Sequence, residues 1–370
     1  MARFSAPTTI LFDLPAVKAI SQIASDHQWE RAALVVDIAV AGYAPVAEIT
    51  DALNEKLQTK VYNYNNGEPT VGLTDSVANY LRSFEPQAIV AIGGGSSLDL
   101  AKAVAVMLAN PGSAADYQGI ALFDTPGPPV ICVPTTAGTG AEISWAAVIT
   151  DETAGKKQAV AGPLVFPAYA VLDPRLTATM PLTLTLSTGL DAIAHAVESY
   201  CANDSSFISR MHSASALGLL RSGLRRALVD GNDLSGRRDA QLGATLAGVA
   251  CSNAGVGLSH ALAYPIGADF KVPHGDAVAM VLASCLRVME AHSQSVFAEL
   301  NSLLAGDQTL IASVDELVAK AGYQRKLRDF GVRRQDLWTL AEKACMIPAF
   351  RNQPADLLVD DCQAILADVF

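Results

Sequence analysis

Basic side chains are scarce in this chain: 26 Lys and Arg face 37 Asp and Glu, for a formal net charge of −11. Nucleic-acid phosphates are bound by a basic face, so the charge balance argues against a nucleic-acid partner. Long apolar runs are also missing. None approaches the roughly 18 residues that a bilayer span needs, although 51% of the residues are hydrophobic, so a soluble chain without a membrane partner is expected. No charged segment followed by an apolar one opens the sequence, so no signal peptide is expected. The six cysteines form no C-x-x-C pair and no regular framework. They read as reduced core thiols of a cytoplasmic protein. Neither G-x-G-x-x-G nor a Walker pattern occurs, so a nucleotide site must be argued from other residues.

With 370 residues, the chain is too long for one ordinary core, and two domains are expected. Its apolar surplus fits large helical cores and a subunit interface, which predicts a homodimer or higher homo-oligomer. The first half alternates strands and helices. Short apolar runs at 32–36, 88–92 and 130–133 are flanked by helical patterns at 46–57 and 74–84. Such runs are buried parallel strands of a doubly wound, Rossmann-like sheet. A hairpin is expected over 148–160 and a last strand at 169–172. Residues 62–70, with Glu68 before Pro69, read as a turn-rich loop. Beyond Pro181 strand signals fade and helices dominate. The expected fold is therefore an α/β domain, residues 1–179, followed by an all-α metal-binding domain, residues 180–370.

Ligands of doubly wound sheets sit beyond the carboxyl ends of the strands, where Asp37, the run 93–97 and residues 135–140 all fall. Gly93, Gly94 and Gly95 lack side chains, so backbone can approach a diphosphate, while Ser96 and Ser97 cap the helix that follows. The anion then meets amide hydrogens and a positive helix end, which suits an acidic protein. A tight structural turn is the alternative. Asp37 is placed to accept hydrogen bonds from ribose hydroxyls and to repel a 2′-phosphate, which favours NAD(H) over NADP(H). Its alternative is a helix cap.

Of the six histidines, His195, His260 and His274 are the candidate ligands, while His27, His212 and His292 read as solvated or capping residues. Asp191 and His195 are i and i+4 on a helix that Ser187 and Thr188 are expected to cap, one turn apart on one face, as two ligands of one cation require. Glu198 shares that face as an outer partner. His260 lies late in an apolar helix expected over 239–264. His274 stands between Pro273 and Gly275, at the mouth of a third helix. On pattern alone, a metal site and packed core histidines both remain open.

The runs Gly93-Gly-Gly-Ser-Ser97, Pro134-Thr-Thr-Ala-Gly-Thr-Gly140, Gly189-Leu-Asp-Ala-Ile-Ala-His195, Ser259-His-Ala-Leu-Ala-Tyr-Pro265 and Pro273-His-Gly275 occur in this order. In this the chain resembles the iron-containing (group III) alcohol dehydrogenases over nearly its whole length. The resemblance implies a metal held by Asp191, His195, His260 and His274, with Fe(II) the expected ion and Zn a possible occupant. It implies NAD(H) held by Asp37, Gly93, Gly94, Gly95, Ser96, Ser97, Asp99, Thr135, Thr136, Thr139 and Lys157. It also implies hydride transfer between the nicotinamide and a small alcohol or its aldehyde or ketone. Many relatives carry a histidine where this chain has Tyr264, so Tyr264 is expected to line the substrate pocket and is a candidate proton relay. Alternatives are a dehydroquinate-synthase-like lyase, a reductase of acidic carbonyl compounds such as maleylacetate, and a non-catalytic metal or nucleotide binder. The lyase would need basic residues such as Arg210, Arg221, Arg225 and Arg226 around a phosphate substrate.

Overall fold

The computed structural model describes residues 4–65, 67–304, 308–354 and 356–370. Asn66, within the turn-rich stretch, lies outside the described residues. Residue contacts divide the chain into an α/β unit, Ala6–Thr136 with Gly140–Thr177, and a helical unit, Ala178–Phe370 with Ala137–Thr139.

In the α/β unit the order is β1 Thr9–Leu11, α1 Ala16–Asp26, β2 Arg31–Asp37, α2 Ile38–Ala41, α3 Ala44–Lys56, β3 Gln58–Tyr64, α4 Val71–Arg82, β4 Ala88–Gly93, α5 Gly95–Ala109, β5 Gly119–Ile120, β6 Val130–Pro134, β7 Ala146–Asp151, β8 Lys156–Ala161 and β9 Tyr169–Val171. A six-stranded sheet has the order β1-β9-β6-β4-β2-β3, and every pairing in it is parallel. Alternate residues feed two cores. Val35, Ile89, Ala91 and Cys132 pack with Val77 and Leu81 of α4 and Val104 of α5. Leu34, Val36, Val90 and Ile92 pack with Ile20 and Ile23 of α1 and Ile49 and Leu53 of α3. Helices on both faces make the sheet doubly wound. The expected hairpin is β7–β8, with β5 added in parallel to β8.

The expected loop at 62–70 is corrected at its start, because residues 62–64 end strand β3, which pairs with β2 from Arg31↔Gln58 to Asp37↔Tyr64. An edge strand buries little, and Gln58–Tyr64 carries no apolar run for periodicity to detect. The serine caps are corrected as well. Helix α5 begins at Gly95, its cap position is Gly94, and no side chain caps it. Ser97 is fully buried and donates to Asp37 Oδ2 at 3.4 Å. A Cβ at Gly93 would stand 2.4 Å from Ser97 Oγ and 2.9 Å from Asp37 Cβ, so only glycine fits there.

The helical unit runs α6 Leu182–Cys201, α7 Phe207–Ala227, α8 Leu234–Ala254, α9 Leu258–Phe270, α10 His274–His292, α11 Gln294–Leu303, α12 Leu310–Lys320, α13 Asp336–Met346 and α14 Val359–Asp368. Its core joins Leu190, Ile193 and Val197 of α6 to Leu217 and Leu220 of α7, Leu258 and Leu262 of α9 and Val278 and Leu282 of α10. Fully burying each such side chain contributes about 1.5–3 kcal/mol. Two helix expectations change. Ser187 and Thr188 do not cap α6, which starts at Leu182; both hydroxyls bond back to Leu184 O, at 3.4 and 2.8 Å, as mid-helix Ser and Thr do. The expected helix over 239–264 is two helices. Gly255, at φ +77°, ends α8, and α9 departs at 95°. Among the described residues no single helix is long and apolar enough to cross a membrane.

Candidate metal centre

The bend between α8 and α9 creates the site. A new helix start at Leu258 exposes amide hydrogens that no turn of its own can satisfy. Glu198, two turns along α6 from Asp191, supplies the acceptor. Its Oε2 accepts from Gly257 N at 2.7 Å and its Oε1 from Ser259 N at 2.5 Å. The same Oε2 lies 2.6 Å from His260 Nδ1. A carboxylate at a helix N-terminus is favoured by the helix dipole. Because a carboxylate only accepts, Nδ1 of His260 carries the hydrogen and its Nε2 lone pair is left for a cation.

Asp191 and His195 reach the same point from α6, and the ligand atoms of Asp191, His195 and His260 all lie within 4.8 Å of one another. His260 Nε2 is 3.3 Å from Asp191 Oδ1, and His274 Nε2 is 3.6 Å from the same oxygen. The His195 and His260 rings stack with centroids 4.6 Å apart, and His274 follows at 5.4 Å from His260. His274, the first residue of α10, keeps 30% of its side chain exposed, whereas Asp191 and His260 keep 2% and 1%.

Asp191 Oδ1 and His260 Nε2 are buried and have no hydrogen-bond partner. Buried polar atoms are ordinarily paired; here Asp191 Oδ1 and His260 Nε2 face each other at 3.3 Å, with a ring nitrogen of His195 within 4.8 Å of both. A divalent cation with mixed nitrogen and oxygen preference supplies what these atoms lack, so the residues fit a metal such as Fe(II) or Zn. The electrostatics agree. Burial alone would raise the Asp191 carboxyl, but His195, His260 and His274 hold it below the usual carboxylate range. Burial would likewise lower His260, yet the charges of Glu198 and Asp191 push it up to about 10. Burial dominates at His195 and holds it below the ordinary histidine value. The pocket therefore favours positive charge at its centre.

Residues 137–139 belong with the helical unit because Gly138 lies against α6. A Cβ there would stand 2.6 Å from Thr188 Cβ and 2.9 Å from Thr188 O. Tyr264, one turn after His260, stacks its ring on His274 at 5.8 Å and 17° and keeps 42% of its surface exposed. Burial, then the nearby Cys251, Glu198 and Asp191, pushes its phenol up.

In the α/β unit, Asp37, Gly93 to Ser97, Thr135 and Thr136 lie at the carboxyl ends of β2, β4 and β6, whereas Thr139 belongs to the helical unit and Lys157 to β8. Asp37 Oδ1 caps the short α2 by accepting from Ala39 N at 2.9 Å. Gly93, Gly94 and Gly95 form the turn into α5, with Ser96 and Ser97 in its first turn. Thr135 donates its backbone N–H to Gly93 O at 2.9 Å, which ties the threonine loop to the glycine turn. Thr136 borders Gly94, and Thr139 is exposed. Two others are engaged within the protein. Asp99 accepts from Val148 N at 3.0 Å and pairs with Lys102 at 2.9 Å, and Lys157 pairs with Glu68 at 2.5 Å. Lys102 escaped the sequence reading. The only trace it leaves there is a lysine three residues after an aspartate in an otherwise apolar helix.

Comparison with known proteins accounts for both units. The family pattern of iron-containing alcohol dehydrogenases matches residues 7–174, and the pattern of the C-terminal part of the same family matches 185–370. A probable alcohol dehydrogenase EutG of Salmonella typhimurium is 32% identical over 356 residues, covering 95% of this chain and 90% of the relative. An NAD-dependent methanol dehydrogenase of Bacillus methanolicus is 28% identical over 377 residues, covering 99% of each. The crystal structure of a 1,3-propanediol oxidoreductase superposes with a TM-score of 0.94 at 27% identity, covering 100% of both chains. The chain belongs to the iron-containing alcohol dehydrogenase family and is a metal-dependent oxidoreductase of alcohols and aldehydes.

Proposed function

We propose that this enzyme transfers hydride between NAD(H) and a small primary or secondary alcohol and its aldehyde or ketone. Asp191, His195, His260 and His274 hold the metal, Fe(II) in the cell with Zn as an alternative occupant. Asp37, Gly93, Gly94, Gly95, Ser96, Ser97, Thr135, Thr136 and Thr139 hold the dinucleotide, with Asp99 and Lys157 fixing the surrounding chain. The single observation that carries the reading is the buried cluster of Asp191, His195 and His260, whose ligand atoms lie within 4.8 Å of one another, with Asp191 Oδ1 and His260 Nε2 left unpartnered. The name of the methanol dehydrogenase relative supports NAD.

Bound there, the divalent cation acts as a Lewis acid toward the substrate oxygen. Asp191 neutralises part of the cation's charge, and Glu198 holds His260 in the tautomer that can bind it. The amides at the start of α5 meet the diphosphate, so no lysine is needed for that task. Asp37 accepts from the adenosine ribose. Tyr264 forms part of the substrate pocket, its phenol protonated at neutral pH and therefore a poor shuttle. The enzyme works in the cytoplasm as a homo-oligomer. The lyase alternative loses support because the four arginines it would use are engaged within the protein: Arg225 pairs with Glu316, Arg226 pairs with Asp239, Arg221 donates to Leu304 O and Arg210 donates to Ser205 Oγ.

The test is loss of NADH absorbance over a panel of small aldehydes, with protein stripped of metal and reloaded anaerobically with Fe(II) or Zn. Activity should return with metal and be lost in His260→Ala. No turnover under any loading would overturn the reading.

A further inference from the structure

We propose that Lys102 is a positioning residue: its ammonium locks the dinucleotide-binding turn at the start of α5 to residues 141–146. The proposal rests on the NAD(H) reading above. Lys102 is 1% exposed on the helix whose first turn follows Gly93–Gly95. Its Nζ donates to Ala141 O at 2.9 Å, to Ser144 Oγ at 3.0 Å and to Ala146 O at 2.5 Å. Asp99, one turn earlier on α5, pairs with the same nitrogen at 2.9 Å and accepts from Val148 N at 3.0 Å.

An ammonium has three donors, and all three are used on protein oxygens. A buried charge is tolerated only when paired and hydrogen-bonded, and Asp99 supplies the counter-charge. The arrangement excludes two other roles. A fully engaged, solvent-inaccessible amine cannot touch substrate as an acid, base or nucleophile, and Asp99, held against Val148 and Lys102, is not free to act as a ribose acceptor. What remains is geometric. Ala141–Ile143 form a short 3-10 turn and Ala146 opens β7, and the buried ammonium is the point at which the carbonyls of Ala141 and Ala146 meet α5. Residues 141–146 continue directly from the threonine loop, whose Thr135 is bonded to Gly93. Lys102 and Asp99 therefore hold as one frame the backbone that meets the dinucleotide.

The experiment is NADH binding by fluorescence, with steady-state kinetics and metal content, on wild type and Lys102→Met. Clamp loss should raise the NADH Kd and KM about tenfold or more, as loosened positioning does. Metal content and kcat at saturating NADH should stay near wild type, because the metal ligands lie in the other unit. A generally damaged protein would lose all of these together. An unchanged Kd in folded Lys102→Met overturns the proposal. Should that variant not fold, Ser144→Ala and Asp99→Asn decide: each should weaken NADH binding with metal content preserved, and unchanged binding in both overturns it. Wild type that binds no NADH would refute the cofactor reading itself, and the clamp with it.

Discussion

Glu198 and His260, 62 residues apart in sequence, are joined by a 2.6 Å hydrogen bond between Oε2 and Nδ1, and the same carboxylate caps the helix on which His260 rides. One side chain thus sets both the position of a metal ligand and its tautomer. Glu198→Gln can still accept from one donor, but it removes the charge and half of the acceptor capacity. Metal affinity should fall about 10- to 100-fold, the usual effect of losing such an outer partner. Metal content after dialysis against a graded chelator measures it; full retention of metal would refute the role.

Metal binding should depend on pH through the same pair. Glu198 and Asp191 push His260 up to about 10, so below that value a proton competes with the cation for Nε2. Each ion bound displaces one proton, and apparent affinity should rise about tenfold per pH unit from acid to neutral and mildly alkaline pH. Metal titrations at three pH values with a competing indicator test this. A flat affinity would show that His260 binds neither proton nor metal as argued.

Tyr264→Phe keeps the ring that stacks on His274 and removes the phenol. Because that phenol is pushed up, away from neutral pH, the pH profile of kcat should not move. A shift in KM among aldehydes of different size would place the ring beside substrate. A lost limb in the pH profile would instead make the phenol the proton relay.

Gly138→Ala should damage the helical unit although the added methyl is small. Its Cβ would meet Thr188 Cβ at 2.6 Å and backbone at 2.9 Å, so the segment must lift off α6, at about 1–3 kcal/mol. Denaturant unfolding should show a lower midpoint, together with weaker metal retention at His195. Wild-type stability would mean that the segment does not press on α6.

The parallel sheet was legible because its central strands are continuous apolar runs, buried on both faces in β4. Strand β3 was not, since an edge strand with Lys60 and Asn63 carries no periodic signal. The helix carrying Asp191 was visible, but its start was misplaced at Ser187 because hydroxyl residues favour caps and mid-helix back-bonds alike. The expected helix over 239–264 failed at Gly255, where a positive φ allowed a sharp bend that composition alone does not announce.

The sequence by itself determined the residue types and the local spacing: a carboxylate, an imidazole and a second carboxylate on one face of α6, and a glycine turn after a buried strand. Helical and strand periodicity settle such relations without any partner. Only the tertiary structure decided that His260 and His274 meet Asp191, that Glu198 reaches across to orient His260, and that Lys102 turns inward to hold residues 141–146. Those relations link segments distant in the chain, and they are fixed by how helices pack and by which buried donors and acceptors must find one another.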